Sequence, residues 1–252
     1  MITVDHLSHR YGAQVVLDDV TLELGDVGVT SIIGPNGAGK STLLSAIGRL
    51  ISPTAGRVAV DGHDVATAPP RDLARRLAVL RQDNHLTARL TVQDLVEFGR
   101  FPHAGGRLGL DDREAVERAL AYLDLGDLRS RFLDELSGGQ RQRAFIAMVV
   151  AQDTRYVLLD EPLNNLDLRH AVDIMRLLRR MADDLDKRIV VVMHDINFAS
   201  AHSDRIVAMR GGRVVADDRP AGIMRSDVLA DLYGTAVDVR VIDGRAVALY
   251  YA

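Results

Sequence analysis

The first part of the chain follows a β-strand pattern that ends at a glycine. Residues 20–24 alternate apolar and polar side chains, and the β-branched run 29–33 stops immediately before Gly34. Both patterns are typical of strands. From residue 39 to about residue 50 we predict a helix, which should end before Ser52-Pro53. The pattern therefore predicts a strand, a glycine-rich turn and a helix in direct succession.

The middle of the chain changes to helical periodicity. We predict helices from 91 to about 100, from 111 to 125 and from about 138 to 152. Ser137 and Gln140 have the spacing of a capping box, which supports the start of the third helix. The block therefore resembles a helical subdomain placed between strands.

Strand patterns return after this block, at 156–159 and 189–192, with a long amphipathic helix between them. Parallel strands with helices between them favour a doubly wound α/β core. We therefore expect one domain over residues 1–252. Its α/β core should comprise 1–82 and 153–252, with the helical subdomain at 83–152 inserted into it.

The composition excludes several classes of function. The chain has no cysteine, so it can form neither a disulfide framework nor a thiolate metal site. Its net charge is -4, and without a basic excess we expect no nucleic-acid partner. We recognise no signal peptide, and the longest apolar runs are too short to cross a bilayer. Any membrane role should therefore come through a partner.

The turn after the first predicted strand matches the phosphate-binding pattern G-x-x-x-x-G-K-[ST]. Its residues are Gly34, Pro35, Asn36, Gly37, Ala38, Gly39, Lys40 and Ser41. In such a loop the backbone N–H groups face the phosphates, Lys40 reaches the β- and γ-phosphates, and the Ser41 hydroxyl binds Mg²⁺. A chance match in a glycine-rich turn is the alternative, but the strand before the loop and the helix after it favour phosphate binding.

Two acids end the strand at 156–159. Asp160 is placed to hold magnesium directly or through water, as the equivalent residue does in phosphate-loop enzymes. Glu161 is placed to orient or deprotonate the attacking water. Taken alone, the pair could equally be a polar strand end that faces solvent. The phosphate loop makes that the weaker interpretation.

The run Leu136-Ser137-Gly138-Gly139-Gln140, here called the signature run, precedes this strand and completes a recognisable order of motifs. The sequence resembles the ATP-binding cassette (ABC) family over nearly its whole length. The resemblance implies a P-loop NTPase (RecA-like) α/β core with an N-terminal antiparallel β subdomain and an inserted α-helical subdomain. It also implies binding and hydrolysis of ATP with Mg²⁺.

The resemblance assigns a role to each motif. Tyr11 would stack on adenine, and the loop from Gly34 to Thr42 would bind the phosphates. Catalysis would involve the residues Glu161, His194, Lys40 and Gln82. Mg²⁺ would be bound by Ser41, Gln82 and Asp160. The remaining nucleotide contacts would come from Ser137, Gly138, Gly139, Gln140 and Asp167.

Several of these residues have plainer interpretations. Tyr11 could be a packed aromatic at a strand end, Gln82 a surface residue and His194 a partly buried structural histidine. Asn164-Asn165 departs from the Ser-Ala that many cassettes carry before the Asp167 position, which leaves inter-subunit contacts there less certain. His85, His170 and His202 have no metal-ligand spacing, and we interpret them as structural.

The resemblance also implies partners. In this family two copies form a head-to-tail dimer that sandwiches two MgATP, with Ser137, Gly138 and Gly139 of one copy capping the γ-phosphate held by the other. One cassette without a membrane span resembles the ATPase subunit of a bacterial importer. It would bind integral membrane permease subunits at the cytoplasmic face and would depend indirectly on a substrate-binding protein.

The segments Asp160–Asp167 and His194–Ala199 are similar to those of ferric siderophore importer ATPases, as is the tail after Val241. Three alternatives remain. Haem and cobalamin importers use similar ATPases. A two-component exporter would differ in transport direction. A translation factor or DNA-repair ATPase usually has two cassettes in one chain or a long coiled-coil insertion, and this sequence has neither.

Overall fold

The computed structural model describes residues 1–82, 88–105 and 107–250. In chain order its strands are β1 (Ile2–Tyr11), β2 (Gln14–Leu24), β3 (Val29–Ile33), β4 (Ala55–Val60), β5 (His63–Asp64), β6 (Leu77–Leu80), β7 (Tyr156–Asp160), β8 (Arg188–Val192), β9 (Arg205–Arg210), β10 (Arg213–Asp218), β11 (Asp238–Ile242) and β12 (Arg245–Leu249). Its α-helices are α1 (Lys40–Ile47), α2 (Pro70–Ala74), α3 (Val92–Phe98), α4 (Phe101–Ala104), α5 (Leu110–Tyr122), α6 (Gly138–Gln152), α7 (Leu168–Asp184), α8 (Ile196–His202), α9 (Pro220–Ile223) and α10 (Ser226–Tyr233).

The chain divides into two compact units. The first comprises Met1–Ala68 and Met175–Ala252, and the second comprises Pro69–Ile174. The helical subdomain expected at 83–152 lies within the range of the second unit, and its first residues, 83–87, lie outside the described part of the chain. Its boundaries stay a prediction.

The first unit contains an antiparallel sheet and a mainly parallel one. Strands β1, β2, β4 and β5 form the antiparallel sheet in the order β2-β1-β4-β5. In the other sheet, β3 pairs in parallel with β8 on one side and with β9 on the other, and β10 pairs antiparallel with β9. Every residue of β3 is buried, including the polar Thr30 and Ser31, as expected for a parallel strand covered on both faces. These sheets confirm the expected α/β core and N-terminal antiparallel sheet.

The second unit combines a parallel strand pair with a helical layer. Strand β6 pairs in register with β7 from Leu77–Tyr156 to Leu80–Leu159. Helices α3, α5 and α6 pack on one another through apolar faces. The predicted helix from about 138 to 152 is confirmed at both ends. Helix α3 ends at Phe98, and Gly99 after it lies close to α6, where a Cβ would be 2.2 Å from the Met148 carbonyl oxygen.

A buried ion pair fixes the helical layer. Arg100 donates to Asp112 over 3.0 Å and to the carbonyl of Ala151, at the end of α6, over 2.7 Å. Asp112 also accepts from the backbone of Gly109, just before α5. The Gly109 backbone bond, followed by the Arg100 guanidinium, holds the pKa of Asp112 below its usual range. One side-chain pair therefore ties together the ends of several helices.

The last part of the first unit packs a hairpin on a helix. Strands β11 and β12 pair antiparallel from Asp238–Leu249 to Ile242–Arg245. The Asn197 side chain on α8 donates to the Ala248 carbonyl and accepts from the Ala248 N–H, so it holds both backbone groups of that residue. Across the described residues, no helix has the length and apolar character needed to cross a membrane.

Candidate functional site

The phosphate loop connects β3 to α1 in the first unit. Its tip, Asn36 and Gly37, is exposed, whereas Lys40 is only 4% exposed. The Lys40 ammonium donates to the carbonyls of Gly34 and Pro35 over 2.8 and 3.0 Å. The lysine thus folds back along its own loop, and the positive charge lies within the loop rather than in open solvent.

Two glycines of this loop have no room for a side chain. A Cβ at Gly34, where φ is +145°, would lie 2.0 Å from the Met209 carbonyl oxygen. A Cβ at Gly39, where φ is +95°, would lie 2.6 Å from the Val16 carbonyl oxygen. The strands on either side therefore press directly on the loop backbone. Glycine is required at both positions for close approach as well as for backbone conformation.

The first turn of α1 presents backbone donors at this loop. Gly39 is the N-cap and has no side chain that could accept from the following N–H groups. The described first turn also contains no acidic residue. A helix N-terminus of this kind binds anions, because its N–H groups and the helix dipole both favour negative charge. Ser41 and Thr42 lie in the same turn, partly exposed.

His194 lies at the same edge of the parallel sheet as the loop. Strands β3 and β8 run parallel, and the Met193 N–H donates to the Ile32 carbonyl over 3.2 Å. His194 is exposed and lies just beyond β8, and β8 is the neighbour of β3, the strand that enters the loop. It also lines a cavity of about 350 Å³ with Tyr233 and Tyr250, where burial raises the pKa of Tyr233.

Tyr11 ends β1 and is 54% exposed. The ring packs edge-on against the buried His9, with centroids 4.6 Å apart and planes at 84°. Tyr11 pairs with Gln14 on β2, two residues before the Val16 carbonyl that contacts the phosphate loop. Strand β2, which pairs with Tyr11, is thus also in contact with the loop.

In the second unit the acidic pair ends β7. Asp160 is its last residue and only 8% exposed, and Glu161 follows it. Strand β6 runs parallel beside β7, with Leu80 opposite Leu159. Gln82, exposed just beyond β6, is therefore at the same edge of the pair as Asp160 and Glu161. The structure brings these predicted residues together at one edge.

Glu161 occupies an unusual backbone conformation. Its φ is +48°, in the left-handed region that non-glycine residues seldom adopt. The turn that follows directs the Asn164 amide back to the glutamate, and Asn164 Nδ2 donates to Glu161 Oε2 over 2.6 Å. Strained backbone of this kind concentrates at functional sites.

The signature run forms the start of α6 as the capping box predicts. The Gln140 N–H donates to the Ser137 hydroxyl, and the Ser137 N–H donates to Gln140 Oε1 over 3.0 Å. Ser137 and Gly138 are exposed, whereas Gly139 is buried. The helix N-terminus thus faces outward with its serine hydroxyl at the surface.

Asp167 immediately precedes α7 and binds the third residue after it. One Asp167 oxygen accepts from the His170 backbone N–H over 2.9 Å and from His170 Nδ1 over 2.8 Å. The backbone bond, followed by the side-chain bond, lowers the pKa of Asp167. Asp167 is exposed, so its carboxylate stays ionised at the surface.

The donor atoms expected for Mg²⁺ are all oxygens: the Ser41 hydroxyl, the Gln82 amide oxygen and the Asp160 carboxylate. Within 1–82, 88–105 and 107–250, no group of three or more His, Cys, Asp or Glu residues is suited to a metal ion. Hard oxygen donors from few protein groups suit Mg²⁺, which keeps several waters and is completed by substrate phosphates. The donor set therefore fits a magnesium ion that arrives with a nucleotide.

The sequence pattern missed two contacts in the second unit. From the sequence alone, Asn164 is only a departure from the usual residue, and His170 is interpreted as structural. The i to i+3 spacings of Glu161 with Asn164 and of Asp167 with His170 were the available signal. That spacing implies contact only if the backbone turns between β7 and α7. Glu161 and Asn165, which both have left-handed backbone conformations, lie in this segment.

Comparison with known proteins gives consistent matches. The family model described as ABC transporter matches residues 17–164. The chain is 46% identical over 252 residues to Petrobactin import ATP-binding protein YclP of Bacillus subtilis (strain 168), covering 100% of both chains. It is 47% identical over 239 residues to Petrobactin import ATP-binding protein FatE of Bacillus anthracis, covering 95% of this chain and 96% of that protein.

Among solved structures, the chain matches the dimeric structure of MJ0796, a bacterial ABC transporter cassette. The TM-score is 0.77 at 30% identity, and the match covers 87% of this chain and 99% of that one.

Proposed function

The chain belongs to the ABC transporter family, and from that premise we propose that it is the ATP-hydrolysing subunit of a bacterial importer of ferric siderophores. The full-length similarity to ATP-binding proteins of petrobactin import carries the transport assignment. The phosphate loop, with Lys40 held inside it at the start of α1, supports ATP as the substrate.

In its own half of the site, the chain binds the triphosphate. The loop from Gly34 to Ser41 and the first turn of α1 supply backbone N–H groups, and Lys40 turns from the loop carbonyls to the β- and γ-phosphates. Tyr11 stacks on the adenine. Ser41, Gln82 and Asp160 hold Mg²⁺, which, when bound, neutralises charge that develops on the phosphate oxygens.

Hydrolysis requires an attacking water in a fixed position. Glu161 orients this water and accepts its proton, while Asn164 holds the carboxylate in one rotamer. His194, exposed at the edge that carries the loop, donates toward the γ-phosphate or holds the water, as a tunable imidazole can. Gln82 contributes at the edge shared with Glu161.

A second copy of the chain completes the site. Ser137, Gly138 and Gly139 of that copy cap the γ-phosphate with the outward-facing N-terminus of α6. Gln140 fixes this cap, and Asp167 contributes from the start of α7. The solved dimer of a similar cassette supports this arrangement. ATP binding then closes the pair, and hydrolysis opens it, because the bridging γ-phosphate is lost.

The second unit offers a docking groove for the permease. A cavity of about 320 Å³ between α3 and α4 is lined by the side chains of Leu90, Asp94, Glu97, Phe98, Phe101, Ala104 and Leu108. Phe101 is 72% exposed. Exposed aromatics beside two acids suit an amphipathic helix with apolar and basic faces. We assign this groove to a cytoplasmic helix of the permease, which keeps the ATPase at the cytoplasmic face of the membrane.

The transported molecule has to be determined with the assembled transporter, since an ATPase subunit does not touch it. We would reconstitute the chain with its permease in vesicles and measure ATP hydrolysis with a substrate-binding protein loaded with ferric petrobactin, haem or cobalamin. Stimulation by the ferric siderophore is expected. Stimulation by haem or cobalamin alone would reassign the substrate, and stimulation of the free chain by ribosomes or DNA would overturn the transport role.

A further inference from the structure

His170 connects two segments that the proposed site presents at its surface. It lies in the first turn of α7, and both its backbone N–H and its Nδ1 donate to the same oxygen of Asp167, over 2.9 and 2.8 Å. The two bonds hold the imidazole ring in one orientation against the start of its helix. The ring is therefore fixed by the residue that precedes α7.

The same ring also lies against the first turn of α6, which carries the signature run. A Cβ at Gly139 would be 2.1 Å from His170 Cδ2 and 2.6 Å from Cγ, so only glycine fits there beside the histidine. Next to it, a Cβ at Gly138 would be 3.8 Å from Leu166 Cδ2, an ordinary contact. The first turn of α6 thus rests on the segment from Leu166 to His170, with the imidazole as the closest element.

We propose that His170 is a positioning residue that sets the spacing between Ser137 and Asp167 on the surface offered to a second copy of the chain. Both of those residues are exposed, and the ring lies between the two backbones that carry them. The inference rests on the proposed two-copy site. It adds that the first turn of α6 and the start of α7 act as one rigid surface. The His170 ring is hydrogen-bonded to Asp167 before α7 and packs against Gly139 in α6.

The test uses variants of the full-length chain to separate the contribution of the His170 ring from that of its hydrogen bond to Asp167. His170→Phe retains a ring but loses the bond to Asp167, His170→Gln retains a donor but loses the ring, and His170→Ala loses both. Arg169→Ala, at the exposed neighbouring position, is the matched control. Each variant is measured for kcat, KM, ATP binding, melting temperature and, in a Glu161→Gln background, ATP-driven dimerisation.

For His170→Ala we expect kcat to fall at least about tenfold, since small displacements of groups that act on the transition state are costly. ATP binding should stay within about twofold, because the phosphate loop is untouched, and the melting temperature within about 3 °C. Dimerisation should require more ATP. The Phe and Gln variants should be intermediate, and Arg169→Ala should match the parent.

A combined variant adds a second readout. Gly139→Ala should abolish ATP-driven dimerisation because its methyl group collides with the ring, and adding His170→Ala should restore part of it. A parental kcat in His170→Ala, or no restoration in the double variant, would overturn the inference. Equal losses in binding, melting and kcat would also overturn it. If the two-copy site itself is wrong, the Ser137→Arg variant should dimerise normally with ATP. That result is distinct from any outcome of the His170 variants.

Discussion

Asn164 donates a hydrogen bond from Nδ2 to Oε2 of Glu161 over 2.6 Å, three residues back along the chain. The contact depends on the left-handed conformation of Glu161, which turns the chain immediately after β7. The amide therefore limits the rotamers of the carboxylate that we assign as the water-activating base.

Asn164→Ala should slow hydrolysis without weakening ATP binding. Loss of the amide frees the Glu161 carboxylate, and we expect kcat to fall about tenfold, or roughly 1.4 kcal/mol in activation free energy. KM for ATP should stay close to the parent value. Leu168→Ala, an exposed position nearby, serves as the control in steady-state kinetics. An unchanged kcat would show that the bond does not orient the base.

Glu161→Gln should bind ATP and form the dimer but turn over very slowly. The amide is nearly isosteric with the carboxylate but cannot accept the proton of the attacking water, so kcat should fall about 100-fold or more. Gel filtration with ATP and a phosphate-release assay measure the two effects separately. Near-normal turnover would remove Glu161 from the catalytic role.

Tyr11→Ala should weaken the affinity for ATP. If the exposed ring stacks on adenine, its loss should raise KM about tenfold, in line with about 1–3 kcal/mol per stacked base. Tyr11→Phe retains the aromatic face and is the matched control. The expected change is confined to KM. Equal kinetics for the Ala and Phe variants would contradict stacking.

Asp112→Ala should destabilise the second unit. It leaves the Arg100 guanidinium buried without its partner, which costs about 3 kcal/mol when a buried pair is broken. The pKa of Asp112 is lowered in the fold, so its contribution is present above the unfolded value near 3.8 and is lost as pH falls through the folded value. Urea unfolding should therefore show a large difference between parent and variant at pH 7 and a smaller one at acid pH, where the Asp112 carboxyl is protonated in the folded state.

The sequence predicted the elements whose pattern is local. Strand β3 and helix α6 were predicted with their observed bounds, because a β-branched run and a capping box each mark their own ends. Helix α8 was not predicted. It spans only Ile196–His202, and its start depends on Asp195, whose side chain accepts from the Asn197 and Phe198 N–H groups. Such a short helix has too few turns to show a period.

The site was predictable to the extent that its motifs are linear. The phosphate loop and the acidic pair could be found from spacing together with the strands that precede them. The contact of His170 with Gly139 could not, because it joins two helices distant in sequence, and the glycine reveals only that something approaches closely. Likewise, no pattern along the chain shows whether a glycine is required because a side chain packs against it or because a ligand does.

The central claim is that one active site is built from two copies of the chain, with the phosphate loop from one and the signature from the other. Ser137→Arg should bind ATP but block closure, because the new side chain occupies the outward-facing helix start. Lys40→Ala should damage the loop and leave the signature intact. Each variant alone should be nearly inactive, since every site in its dimer contains a damaged half.

Mixing the two variants tests this claim most directly. In a mixed dimer, the intact loop of the Ser137→Arg copy meets the intact signature of the Lys40→Ala copy and forms one complete site. An equimolar mixture should therefore recover up to about one quarter of the parental ATPase rate, because half of the dimers carry one complete site of two and the interface of those dimers holds one substituted serine instead of two. A mixture no more active than its separate components would contradict the two-copy site.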